Sequence, residues 1–340
     1  MRTPDFIQTI VTSTRVRLAR NLDAYPFPEK LSKKQGKEII EIVGHEVVRQ
    51  GEFDRFVMDE IDERNAAWLQ EQHLISPALR KKKSLGAAFI SADRDVSVMV
   101  NEEDHLREQY IFMGFDLLKT YERISAIDEN IGANVNFAYD KRLGYLTACP
   151  SNLGTGMRAS VMMFLPGIAR SKVWEEVLPT LKAGGMTVRG VFGEGSQAEG
   201  YSYQVSNERT LGLSEGEILQ KVSKVTMTLC DLEIREREKM LKADKIALKD
   251  ECLRSYGTLT NCAVLPLKEL TEGMVKVKLG MALGFLSAQD IKGFNRFLAD
   301  MRPASFRIGN ELVGASEYEC DLARAEIVRQ VFPELVTRTD

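Results

Sequence analysis

Apolar positions recur along the chain with two periods, and the period separates helices from strands. Between residues 32 and 50, Ile39, Ile40, Val43 and Val47 form one helical stripe, and Ser32 precedes them as an N-cap. Helices are also predicted over 62–74 and 171–183. Alternation takes over in STRVRLAR, residues 13–20, where Val16 and Leu18 face one way and Arg15 and Arg17 the other, as on an extended strand. Residues 86–100 read as two strands, AAFIS and VSVMV, around the polar turn 92–95. Residues 143–148 read as a strand entering a turn of Pro150, Ser151, Asn152, Gly154 and Gly156, with a helix opened by Arg158 beyond it. The acidic start of NEEDHLREQY suits a first helical turn, so a helix is expected from there past Leu118. A strand over 187–192 runs into GEGSQAEG, small residues without periodicity that suit a mobile loop able to close over a site. After Asn207 the pattern is helical: one long or broken helix, then two or three shorter ones.

Composition narrows this picture. The 340 residues, 44% hydrophobic and 28% charged, are enough for two domains. A net charge of −3 gives no nucleic-acid signal, and the basic run 80–83 reads as a solvated loop. No apolar run reaches the length of a membrane span, and the N-terminus lacks the regions of a signal peptide. Five cysteines without paired spacing fit reduced thiols in a cytoplasm, and no Cys/His group has zinc-ligand spacing, so no protein-held metal is expected. GxxxxGK[ST], HRD and DFG motifs are absent, which excludes P-loop enzymes and ordinary protein kinases.

The candidate chemistry lies in charged residues and one thiol. Two guanidinium groups side by side at Arg15 and Arg17 suit the oxygens of a polyphosphate. The glycine-rich turn after Cys149 lets backbone approach a ligand, and a helix start beyond it would offer free N–H groups to an anion. A cysteine among arginines at such a start would favour its thiolate, to which Ser151 could donate. On a helix, Glu103 and Arg107 would form an i,i+4 pair worth only ~0.2–0.5 kcal/mol.

The stretch CPSNLGTGMRAS, residues 149–160, resembles the signature of the phosphagen (guanidino) kinases. STRVRLARN (13–21), HLISP (73–77), VNEEDHLR (100–107) and VRGVFGEGSQAEG (188–200) resemble that family's other segments in order and spacing. The resemblance implies an α+β fold: a catalytic domain with a mainly antiparallel sheet flanked by helices, here residues 1–210, and a C-terminal all-helical domain, residues 211–340. It implies ATP and Mg²⁺, the metal shared by the phosphates. The implied nucleotide contacts are Ser13, Thr14, Arg15, Val16, Arg17, His73, Arg107, Arg158, Ala159, Ser160, Val161, Met162, Arg189, Gly190, Val191, Phe192, Gly193 and Glu194. Arg15, Arg17, Arg107, Arg158 and Arg189 would neutralise phosphates, while Glu103 and Cys149 would orient and activate a guanidinium substrate. The family's second substrate glutamate is replaced here by Gln197, which can hydrogen-bond a guanidinium but cannot take its proton. Phe192 likewise replaces an arginine of the small-guanidino kinases.

Those kinases carry a helical domain before the paired arginines, which fall here at positions 15 and 17, and a helical tail follows instead. This arrangement resembles the bacterial protein-arginine kinases. CDLARAEIVRQ, residues 320–330, is similar to their R-D-x-x-R-A motif for phosphoarginine: Asp321, Arg324 and Ala325 match, and Cys320 stands in place of arginine. The branch implies protein substrates in the bacterial stress response, a heat-shock repressor among them. It also implies a small zinc-binding activator, a Clp AAA+ unfoldase that receives marked proteins, and a homodimer or higher oligomer. Two alternatives stand beside it: a kinase of free arginine or another small guanidine, and a weakly active phosphoarginine-binding protein.

Overall fold

The computed structural model describes residues 4–82, 85–190 and 199–339. A short helix α1 (Pro4–Ile10) leads into strand β1 (Val11–Arg20). Helix α2 (Lys33–Val48) follows, closed by a reciprocal capping box between Ser32 and Gln35, then strand β2 (Phe53–Val57). Helix α3 (Glu63–Glu71), N-capped by Asp62, and helix α4 (Pro77–Lys81) precede strands β3 (Ala87–Ser91), β4 (Val96–Val100) and β5 (Leu106–Met113). Helix α5 (Leu117–Gly132) and the small pair β6 (Tyr139–Asp140) and β7 (Gly144–Tyr145) lead to β8 (Met157–Phe164). Helices α6 (Pro166–Ala169) and α7 (Val173–Ala183) precede β9 (Met186–Gly190) and β10 (Ser202–Asn207). All neighbours in the main sheet are antiparallel, in the order β2-β3-β4-β5-β1-β8-β10-β9.

The two helices expected at the centre of the chain are strands. Residues 106–113 form β5 because Leu106, Glu108, Tyr110 and Phe112 alternate towards the core while Arg107, Gln109 and Ile111 alternate away. The buried Glu108 sits where a strand pattern calls for an apolar residue, which hides the alternation. The expected helix after Arg158 is β8, with Met157, Ala159, Val161 and Met163 in the core. The basic run beginning at Arg80 also departs from the solvated loop: Arg80 and Lys81 end α4, and Arg80 Nε donates to Glu63 at 2.8 Å.

The helical tail is one long helix α8 (Glu215–Asn261), then α9 (Leu267–Ala282), α10 (Ile291–Asp300), α11 (Pro303–Gly309) and α12 (Glu317–Leu335). It is not all-helical: β11 (Leu286–Ala288) pairs with β12 (Val336–Arg338). Four helices, rather than two or three, follow α8 because Pro303 opens a new helix directly after α10. Helix α8 kinks at Asp244, whose φ of −157° is non-helical and whose Oδ1 accepts from Ala247 N at 2.9 Å, an internal N-cap. Up to Ile234 this helix packs on the sheet core, from Leu248 onward it packs on the tail, and the expected boundary at 210/211 falls in the loop before it. Buried Glu233 ties the helix to the sheet, accepting from Gly167 N and Ile168 N at 2.9 Å each while Arg237 Nε donates to it at 2.7 Å.

One face of the sheet is a continuous apolar core under α2, α5 and the first half of α8. At its centre lies a polar cluster. Arg20 donates to Asp128 Oδ2 from Nε at 3.2 Å and from Nη2 at 2.8 Å, leaving Oδ1 open. Glu108 is fully buried beside that oxygen, and burial together with the Asp128 charge raises its pKa well above the ordinary carboxylate value. Neither Glu108 oxygen nor Asp128 Oδ1 has a hydrogen-bond partner among the described residues, and a proton held on Glu108 would let it donate to Asp128 and satisfy both groups. Because the fold holds this proton more tightly than the unfolded chain does, the contribution to stability is present at low pH and declines as pH rises above 4.5. Glu108→Gln keeps the donor without the charge, so thermal unfolding at pH 8 should match or exceed the native melting temperature and lose part of its decline between pH 5 and 8. Glu108→Leu, which orphans Asp128 Oδ1, should cost ~1–3 kcal/mol in a urea titration.

Candidate active site

The opposite face of the sheet gathers the arginines. The register sets Arg17 opposite Gln109 on β5 and Arg158 on β8, with Arg15 opposite Ile111 and Ser160. Ala19 is directly opposite Arg107, and Arg189 pairs with Gln204, which in turn faces Met162. Side chains alternate with a period of two, so Arg15, Arg17, Arg107, Arg158 and Arg189 share one face. Helices α3 and α4 cover this face only over β2–β4, through Leu69, Leu79, Ile90 and Met99, which leaves a floor of guanidinium groups beyond their edge.

These cations are crowded. Burial, then the charges of Arg107 and Arg158, push the Arg15 pKa down to about 10. Arg17 is lowered further by burial and by Arg15, Arg107 and Arg158, against the pull of Glu102. The Nε atoms of Arg15 and Arg17 are buried without a hydrogen-bond partner among the described residues. Such a floor is destabilised by its own charge, and a polyanion resting on it would relieve both the repulsion and the missing hydrogen bonds. Arg158 is steered by Ser206, whose Oγ accepts from its Nε at 3.3 Å and its Nη2 at 3.1 Å. Asn207 clamps the start of β8, accepting from Ala159 N at 2.8 Å and donating to Met157 O at 3.0 Å.

Arg107 has a partner that the sequence reading passed over. Its Nη1 donates to Glu102 Oε1 at 2.7 Å and Oε2 at 2.8 Å, and Ser76 Oγ also donates to Oε1. Glu102 is 2% exposed, and although burial opposes its charge, Arg107 and Ser76 keep its pKa below the ordinary value. The expected Glu103–Arg107 pair therefore does not form: Arg107 is on strand β5, Glu103 is in the loop before it, and no helix sets them on one face. Glu103 stays exposed in the loop 101–105. The adjacent acidic pair in NEEDH carried a signal for this division of labour, one carboxylate buried on an arginine and one left open.

The same loop is fastened to the cysteine loop. Asp104 Oδ1 accepts from Asn21 Nδ2 at 2.6 Å and from Ala148 N at 2.7 Å, so Glu103 and Cys149 flank the two ends of one hydrogen bond. His105 supports the loop from below: its Nδ1 accepts from Leu22 N at 3.0 Å, so Nε2 carries the proton and donates to Pro26 O at 2.9 Å. Burial lowers its pKa to about 4, consistent with that neutral tautomer. Cys149 is half-buried, and its Sγ lies 3.1 Å from Ser151 Oγ.

The glycines of this loop serve packing. A Cβ on Gly154 would lie 2.6 Å from Thr210 O, and one on Gly156 2.5 Å from Arg20 Nη1. Both have positive φ, 112° and 65°. The close approach expected towards a ligand is thus made towards the protein's own chain, and no helix N-terminus follows it.

Placement divides the sequence-predicted residues. Ser13, Arg15, Arg17, Arg107, Arg158, Ser160, Met162 and Arg189 are on the arginine face. Thr14, Val16, Ala159 and Val161 point to the core. Gly190 ends β9 at the sheet edge, and Val191, Phe192, Gly193, Glu194 and Gln197 lie outside the described residues. His73 stands at the rim of the floor with a positive φ of 60°, and its carbonyl accepts from Gln109 Nε2 at 2.6 Å. In the tail, Cys320 and Ala325 are buried in the core, while Arg324 donates to Asp321 Oδ1 at 2.5 Å and to Leu265 O at 2.8 Å. No group of three or more His, Cys, Asp or Glu that could hold a metal ion occurs among the described residues.

Two family models cover the chain. Residues 35–236 match "ATP:guanido phosphotransferase, C-terminal catalytic domain", and residues 245–339 match "Protein-arginine kinase McsB C-terminal domain". The matches meet across the Asp244 kink. A protein-arginine kinase of Caldanaerobacter subterraneus subsp. tengcongensis is 39% identical over 326 residues, 94% of this chain and 96% of its own. One from Halalkalibacterium halodurans is 40% identical over 281 residues, 82% of this chain and 79% of its own. Among solved structures, the substrate-free duplicated taurocyamine kinase of Schistosoma mansoni matches 69% of this chain and 35% of its own, with a TM-score of 0.60 and 28% identity. Lombricine kinase, at 24% identity and a TM-score of 0.60, shares the fold over 66% of each chain. The antiparallel sheet with its arginine face, the catalytic-domain match and these full-length relatives establish that the chain belongs to the ATP:guanido phosphotransferase family, in the branch of the protein-arginine kinases.

Proposed function

We propose that this protein transfers the γ-phosphoryl group of ATP to arginine side chains of proteins. The observation that carries the reading is the floor of five guanidinium groups on one sheet face, Arg15 and Arg17 among them buried and crowded by neighbouring cations, beside an exposed carboxylate and a thiol. On this reading the phosphates lie on Arg15, Arg17, Arg107, Arg158 and Arg189, and Mg²⁺ is shared by phosphate oxygens. The floor neutralises charge on the transferring group and aligns it, which is most of what phosphoryl transfer needs from a protein.

The acceptor guanidinium is cationic in water and must lose a proton to attack. Glu103 and Cys149, held together by the Asp104–Ala148 hydrogen bond, are the groups to orient it, and Glu103 is the base. The N–P bond forms as the bond from Pγ to the bridging oxygen breaks, ADP leaves, and the proton passes through Glu103 to solvent. Gln197 would add a hydrogen bond without taking a proton. Asp321 and Arg324 form the proposed phosphoarginine contact of the tail, Asp321 exchanging Arg324 for the ligand. The proposal extends to a cytoplasmic role in stress response, with a zinc-binding activator, a heat-shock repressor as substrate and a Clp unfoldase as recipient, and to a homodimer.

With γ-labelled Mg-ATP, acid-labile label is expected on a folded arginine-rich protein and not on free arginine in parallel. Label on free arginine alone would move the reading to a small-guanidine kinase. Arg17→Met should melt higher than the native protein without ligand, because it removes a crowded cation, and should lose most of the rise in melting temperature that ATP produces. Glu102→Gln frees Arg107 from its buried partner; kcat/KM for transfer should fall at least about tenfold, in line with ~1.5–3 kcal/mol for a charged hydrogen bond.

A further inference from the structure

The tail reaches the rim of the arginine floor at one point. Arg302, the residue before α11, directs its Nη1 to His73 Nε2 at 3.2 Å and to the carbonyl of Glu71. Arginine has no acceptor, so this contact occupies the Nε2 lone pair and leaves Nδ1–H as the donor of the imidazole. The approach is fixed by a dense joint. The Glu71 carboxylate accepts from Ala304 N at 3.0 Å, Ser305 N at 2.9 Å and Ser305 Oγ at 3.0 Å, and Gln72 Nε2 donates to Ser305 Oγ at 3.0 Å. These bonds converge on the two residues before His73, which itself has a left-handed backbone. The charges bearing on His73 are Arg302 and, from the floor, Arg15.

We propose that Arg302 is a positioning residue of the nucleotide site: the tail locks the His73 imidazole in one tautomer and orientation at the rim beside Arg15, and so completes a site otherwise built from the sheet. The ligand class is a nucleoside polyphosphate, whose oxygens would accept from His73 Nδ1–H. The inference rests on reading the arginine floor as the nucleotide site. Burial and the two neighbouring cations, Arg302 and Arg15, lower the His73 pKa to about 4, in keeping with a neutral ring.

The test uses the full-length protein with Arg302→Met, Arg302→Lys and Glu71→Gln. Steady-state transfer to a protein acceptor gives KM for ATP and kcat, direct binding of a fluorescent ADP analogue reports the site, and NMR titration follows the His73 ring. Arg302→Met should raise KM for ATP about tenfold, the effect of losing about one charged hydrogen bond, with kcat within about twofold. The His73 pKa should rise, because a neighbouring cation is gone, and Arg302→Lys should restore part of both effects. Glu71→Gln weakens the joint and should shift KM in the same direction. Unchanged KM and an unchanged His73 titration in folded Arg302→Met overturn the proposal, as do equal losses in kcat with no change in KM. If Arg302→Met does not fold, the same criteria apply to Arg302→Lys and Glu71→Gln. Failure of the native protein to bind the ADP analogue overturns instead the reading of the floor on which the proposal stands, while the titration still reports whether Arg302 acts on His73.

Discussion

Like charges held close together under partial burial are the constraint around which this structure is arranged. Five guanidinium groups share one face of an antiparallel sheet, and the two on β1 have lost much of their hydration without gaining a hydrogen bond at Nε among the described residues. Glu102 answers Arg107, and Ser206 steers Arg158. The opposite face has to supply the stability that this face gives up. It does so with an unbroken apolar core, within which burial and the Asp128 charge raise the pKa of Glu108.

The loops around the floor show how positions are enforced at a distance from the charge. Asp104 brings the Glu103 loop to the Cys149 loop through a single carboxylate oxygen shared by Asn21 and Ala148. Gly154 and Gly156 let the cysteine loop lie directly on Thr210 and Arg20, where any side chain would collide with backbone or with a buried guanidinium. The shape of this face therefore depends on contacts within the protein itself. The joint between Glu71 and α11 extends the same logic to the tail, which leans on the residues just before His73.

Much of the architecture was legible along the chain, and the reasons are local. The α2 stripe, the caps at Ser32 and Asp62, the β3–β4 pair and the long α8 each follow from periodicity or capping chemistry within a short window. The misread segments are β5 and β8. Both carry the site's arginines on one face, and both present residues that resemble other elements in isolation: an acidic run before β5, a glycine turn before β8. Their strand conformation is dictated by pairing with β1, a partner far away in sequence (Arg17 opposite Gln109 in one case and Arg158 in the other), and no local pattern contains that information.

By itself the sequence determined the kind of chemistry: arginines at positions 15, 17, 107, 158 and 189, a cysteine at 149, and acidic residues at 102 and 103, while the strand expected over 143–148 is confined to Gly144–Tyr145. Residue identity sets charge and reactivity, and these do not depend on the fold. Only the tertiary structure decided which of these groups meet. Sheet register put the five arginines on one face and turned Thr14, Val16, Ala159 and Val161 into the core. It gave Arg107 to Glu102 and left Glu103 open, and packing of the tail brought Arg302 to His73 across more than two hundred residues of chain. Spatial adjacency in an antiparallel sheet is set by long-range pairing, and pairing is a property of the whole chain at once.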